Sequence, residues 1–142
     1  MGRLILKYSE VLLEGAKSIA KGHKYKFSKE EKMLMTSKEI QYLIERAIKY
    51  YMAFQVGLDS HSNYEQMKKA IVDIDNNIKE IEVYRYPYEL EKKLRKVNRV
   101  WRINRFFLNR VNDSSIPHLL LGSTEYIKIL LKDIEQYHKK NL

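Results

Sequence analysis

The sequence contains no cysteine, only two prolines and five glycines, and fewer acidic than basic residues. The missing cysteine removes disulfides, thiolate metal sites and a cysteine nucleophile together, and it is silent on compartment. So little proline and glycine leaves few breaks, which favours long helices. No stretch approaches the roughly 18 apolar residues of a membrane span. The opening Met1-Gly2-Arg3-Leu4-Ile5-Leu6-Lys7 starts like a signal peptide. Lys7 and Glu10 interrupt its apolar run, however, and no small-residue cleavage site follows. Leu6 stands where a myristoylation signal wants Ser or Thr. The chain therefore reads as cytoplasmic, with no membrane partner. No glycine-rich phosphate loop is present, and no period-two alternation lasts long enough to argue a sheet.

What the chain does have is positive charge. Its 27 Lys and Arg against 18 Asp and Glu give a net charge of +9, a field that attracts polyanions. Nucleic acid, an acidic protein surface and anionic lipid all answer to it, as does plain solubility. At 142 residues and 44% apolar composition, the chain is long enough for one domain with one real core.

Five helical segments can be read. From Leu4 to Ala20, Ile5, Tyr8, Leu12, Gly15 or Ala16, and Ile19 share a face at helical spacing, and Gly22 is a stop. The lysine-rich stretch from His23 to Met35 is weakly patterned and reads as a basic connector. Thr36-Ser37-Lys38-Glu39 has the form of a capping box, with Met35 and Ile40 at the staple positions. The helix it opens carries Ile40, Leu43, Ile44, Ala47, Ile48 and Tyr51, and ends at Gly57. Ser62-Asn63-Tyr64-Glu65 repeats the capping pattern ahead of Met67, Ala70, Ile71, Ile74, Ile78 and Ile81. Pro87 stops that helix near Arg85. A further helix covers about Tyr88 to Val111. Asn112-Asp113-Ser114-Ser115 is a turn, and Pro117 suits the first turn of the last helix. The predicted architecture is all-α, an antiparallel bundle of four to five helices. It divides into an N-terminal helix (1–22), the connector (23–35) and a four-helix bundle (36–142). Trp101, Leu94, Val97, Ile44, Ile71, Ile74 and Leu130 are expected in the core.

The segment from Tyr88 to Val111 is the most informative. At 100° per residue, Leu90, Leu94, Val97, Trp101 and Leu108 fall on one side, and Lys92, Arg95, Arg99, Arg102 and Arg110 on the other. Phe106 sits within the cationic arc. Guanidinium forks grip phosphates and an aromatic face stacks a base, so the pattern suits single-stranded nucleic acid. A solvated charged face, with Phe106 against another helix or subunit, accounts for the same pattern. Arginine at most positions favours binding, because solubility does not need planar bidentate donors. Lys38, Lys49, Lys68, Lys69 and Lys79 spread further charge over the two preceding helices.

The scan for catalytic and metal-binding residues is negative. His23, His61, His118 and His138 are scattered. Glu135 and His138 form one Glu-x-x-His, but a di-iron bundle needs a second and two further carboxylates. Asp73 and Asp75 are two apart on a helix and diverge. Arg110 and His118 are too far apart for a helical ribonuclease pair. No enzyme activity, metal or cofactor is expected.

The run Leu34-Met35-Thr36-Ser37-Lys38 resembles the Leu-Thr-Thr-Ser-Lys stretch in the small subunit of type III-A CRISPR effector complexes, the Csm complexes. The basic connector before it, the Tyr50, Tyr51 and Phe54 cluster, the Tyr84-Arg85-Tyr86 segment and the closing Tyr126 to Lys140 helix agree in order. Ile40 and Pro87 stand where that family has an arginine and a small-Gly-Arg element. The resemblance implies a non-catalytic, RNA-binding structural subunit of a ribonucleoprotein, holding guide or target strand beside other subunits and copies of itself. Of the family's motif, Thr36, Ser37 and Lys38 carry across. A second resemblance is to the four-helix extracytoplasmic domain of methyl-accepting and nitrate-sensing receptors, through Trp101 and Lys32-Met33-Leu34-Met35-Thr36. It implies a ligand sensor. A third is to the basic bundle that accompanies the reverse transcriptase of diversity-generating retroelements.

Overall fold

The structure is a computed structural model that describes Glu14 and residues 26–57, 61–110 and 117–142. The described residues form four α-helices and no strand: α1 (Lys29–Gln55), α2 (His61–Glu82), α3 (Tyr88–Leu108) and α4 (Pro117–Lys140). Apart from Glu14, which is helical, the segment expected to form the N-terminal helix lies outside the described residues. So does the Asn112-Asp113-Ser114-Ser115 turn.

Local chemistry sets the helix ends. Helix α1 starts seven residues before the expected cap, because a better capping box lies upstream. The Ser28 hydroxyl accepts from the Glu31 amide at 3.1 Å, and the Glu31 carboxylate accepts from the Ser28 amide at 3.1 Å. Glu30 and Glu31 in the first turn also face the positive end of the helix dipole. The expected connector is thus helical from Lys29 onward, and the cap assigned to Thr36 is corrected. Thr36 and Ser37 are buried inside α1, with their hydroxyls turned onto backbone carbonyls: Thr36 onto Lys32 at 2.8 Å, Ser37 onto Leu131 of α4 at 3.3 Å. Gly57, at φ 79°, takes the left-handed conformation that ends α1. Helix α2 begins at His61, so Ser62 lies in its first turn rather than at the cap. It ends at Glu82, short of Arg85. At the start of α3, the Pro87 carbonyl accepts from Leu90 and Glu91, both at 3.0 Å.

Side-chain bonds give the topology. Lys93 of α3 meets Asp133 of α4, and Ser123 meets Asn104. Glu30 of α1 meets His138 of α4, and Glu45 meets Lys128. Trp101 of α3 reaches Asp75 of α2. The paired helices run antiparallel, with α1 packed broadly against α2 and α4, α3 packed broadly against α4, and α3 meeting α1 and α2 only narrowly. Among the described residues, α2 and α4 do not touch. The core is filled by the apolar stripes: Ile40, Ile44, Ile74, Val97 and Ile134 are buried, as are Leu94, Ile71 and Leu130, and Trp101 is 2% exposed. Each such side chain contributes about 1.5–3 kcal/mol by leaving water.

Candidate nucleic-acid interface

The outward face of α3 is set by the burial of its opposite face. Leu94, Val97, Trp101, Asn104 and Leu108 point inward. Lys92, Arg95, Arg99, Arg102, Phe106 and Arg110 are therefore carried on the crown, and all six are exposed. The crown is one unbroken row at i+3 and i+4 steps, which brings successive side chains side by side.

Partners separate the crown from its flanks. On the α4 side, Lys93 is held by Asp133 at 2.7 Å. On the α2 side, Arg105 is held by Asp75 at 3.1 Å, and the same carboxylate accepts the Trp101 indole N–H at 2.6 Å. Asp75 thus satisfies the one polar atom of the buried tryptophan and fixes α3 against α2. Divergence from Asp73 made Asp75 look inert in the sequence. No spacing in the sequence marks this partnership, which arises only when α2 and α3 come together. Among the described residues, by contrast, no carboxylate pairs with Lys92, Arg95, Arg99 or Arg102. Glu89 and Glu91 sit in the first turn of α3, where they answer the helix dipole, and Glu82 and Asp75 of α2 edge the clefts beside Arg95 and Arg102 without pairing with either.

Two exposed rings stand on the crown with a cation over each. The Arg110 guanidinium lies 4.2 Å from the Phe106 ring centre, and the Lys92 ammonium 4.6 Å from that of Tyr88. Open clefts border the row on the α2 side. One, of about 300 Å³, is edged by Asp75, Lys79, Asn98 and Arg102. The other, of about 250 Å³, is edged by Tyr84, Tyr86, Glu91 and Arg95.

Lys38 does not join this row. It lies on α1 at the seam with α4, where it sits 3.7 Å from Glu135. Glu135 also accepts from Gln41 at 3.1 Å and pairs with Lys139 at 3.5 Å. Thr36 and Ser37 are buried and offer no surface to a ligand.

The Glu-x-x-His of α4 is divided between two environments. Glu135 belongs to that seam, whereas His138 is fully buried near the C-terminal end of the helix. Its Nδ1 is 2.5 Å from Glu30 and its Nε2 is 2.7 Å from the Tyr86 hydroxyl. Tyr84 donates to the other Glu30 oxygen. Burial works to raise the Glu30 pKa, but the bonds from Tyr84 and His138 outweigh it and hold the carboxyl below its ordinary value. Burial pushes the Tyr86 hydroxyl up, and the bond to Glu30 pushes Tyr84 up. Both phenols are thus held protonated, as donors rather than nucleophiles. The cluster ties the start of α1, the α2–α3 connection and the end of α4 together. Among the described residues, no group of three His, Asp or Glu is arranged to hold a metal. No helix among them is long and apolar enough to cross a membrane.

The chain matches no protein-family model, no curated protein and no solved structure.

Proposed function

We propose that this protein is a non-catalytic RNA-binding subunit of a ribonucleoprotein assembly, and that the crown of α3 holds the nucleic-acid backbone. One observation carries the reading: Lys93 and Arg105 on the flanks of α3 are spent on Asp133 and Asp75, while Lys92, Arg95, Arg99 and Arg102 are left to solvent without carboxylate partners among the described residues. A row whose only task was to attach α3 would be paired like its flanks. Guanidinium groups offered in a line, on a chain of net charge +9, suit a ligand that repeats an anionic oxygen pair. The backbone of RNA is such a ligand. Other protein subunits and further copies of the chain complete the assembly, as in the type III-A small subunit. That analogy rests on the order of the sequence features, since Thr36 and Ser37 are packing residues here.

The test is RNA binding by the full chain at two salt concentrations, with Arg95, Arg99 and Arg102 together replaced by Gln. Each phosphate that is no longer neutralised takes about 0.7 off the salt slope of log affinity for a single strand, so the triple variant is expected to lose roughly two units. Its thermal stability should stay near wild type, because all three side chains point away from the core. Equal affinity of the two proteins at both salt concentrations overturns the proposal.

A further inference from the structure

We infer that the crown of α3 selects an unpaired strand over a duplex, seating one base on Tyr88 and another on Phe106 at its two ends. The inference rests on the reading of the crown as a backbone-binding row. Its own evidence is the placement of the two rings. Tyr88 is 63% exposed and Phe106 51% exposed, large apolar surfaces that the core does not use. They stand about five helical turns apart, so they share one azimuth and lie roughly 27 Å from each other along the axis. Between them run Lys92, Arg95, Arg99 and Arg102. Each ring is steadied by the cation one turn further on, Lys92 over Tyr88 and Arg110 over Phe106. That arrangement places a stacking face and a phosphate-binding charge together at each end of the row.

The physical basis of selection is simple. In a duplex both faces of an interior base are covered by its neighbours, so a protein ring has nothing to stack on. A single strand can turn a base out at little cost, and every base has a π-face, so the contact is tolerant of sequence. At the 3.4 Å rise of stacked nucleotides, the separation of the rings corresponds to roughly eight nucleotides. A strand much shorter than this reaches one ring only.

The experiment measures binding of the full chain to a single-stranded RNA of about 12 nucleotides, long enough to meet both rings. The probe is labelled for fluorescence anisotropy, and the blunt duplex of the same sequence is titrated beside it. The single strand is expected to bind roughly tenfold or more tightly than the duplex. Tyr88→Ala and Phe106→Ala should each weaken the single strand by roughly 5- to 150-fold and leave the duplex unchanged. Tyr88→Phe and Phe106→Trp, which keep a ring, should restore it. Circular dichroism checks that the alanine variants keep their helices. Equal affinity for strand and duplex, or alanine variants that bind the strand like wild type, overturns the inference. So does competition by polyglutamate as effective as competition by unlabelled RNA. If the Arg95, Arg99 and Arg102 variant still loses binding in those cases, the backbone reading stands and only the stacking is wrong.

Discussion

His138→Ala breaks the buried polar cluster at its centre. The imidazole is fully buried and bonded on both nitrogens, at 2.5 Å to Glu30 and 2.7 Å to Tyr86. Alanine leaves the Tyr86 hydroxyl buried without that partner, which costs about 1–3 kcal/mol. It also removes a hydrogen bond to an ionised group, worth about 1.5–3 kcal/mol, from a Glu30 side chain that is 19% exposed. Water can partly replace the bond at Glu30, so the sum is expected at about 3–5 kcal/mol, the range for breaking a buried polar pair. That is a large share of a stability on the order of 5–15 kcal/mol, and it corresponds to a melting temperature lower by on the order of 10 °C. Urea denaturation followed by far-ultraviolet circular dichroism measures it, with an unchanged m-value showing that the unfolded state is not altered. A double-mutant cycle with Glu30→Gln isolates the pair, with an expected coupling of about 1–2 kcal/mol. A loss below about 1 kcal/mol, or strict additivity, would refute the claim that this cluster fastens three parts of the bundle.

The same cluster makes stability depend on pH. Glu30 titrates below its ordinary value in the folded protein, so its contribution is present above the ordinary carboxylate range and lost as pH falls through the folded pKa. Glu30→Gln should therefore flatten the acid limb of stability against pH, and an unchanged limb would exclude Glu30 as its source. Asp75→Ala strands the buried indole N–H of Trp101 and frees Arg105; a loss of about 1–3 kcal/mol is expected, with a shift in the emission of the single tryptophan. Ser28→Ala should cost about 1 kcal/mol in thermal unfolding through loss of the α1 cap, and a neutral result would move the cap elsewhere.

Much of the fold was legible because amphipathic spacing is a local property. The stripes through Ile40 to Tyr51, Met67 to Ile81 and Leu94 to Leu108 named the buried faces, and burying one face of α3 put the opposite row in solvent. Lys92, Arg95, Arg99 and Arg102 on the crown follow from that geometry alone. The start of α1 was misread because two serine- or threonine-led capping patterns lie within ten residues of each other. Propensity does not rank them; the closed pair of bonds at Ser28 and Glu31, and the burial of Thr36 and Ser37 against α4, does.

The sequence by itself determined an all-helical bundle, a single apolar core and a cationic face on α3, since each depends on residues within a turn or two of one another. Only the tertiary structure decided which charges are free and which are spent. Asp75 meets Trp101 and Arg105, Asp133 meets Lys93, and Glu30 meets His138 across separations in sequence that no periodicity encodes. Lys38 looked like part of the same basic surface until the packing placed it at the α1–α4 seam beside Glu135. Helix order and register are set by how four stripes pack together at once, and so the partners of a side chain are a property of the whole bundle.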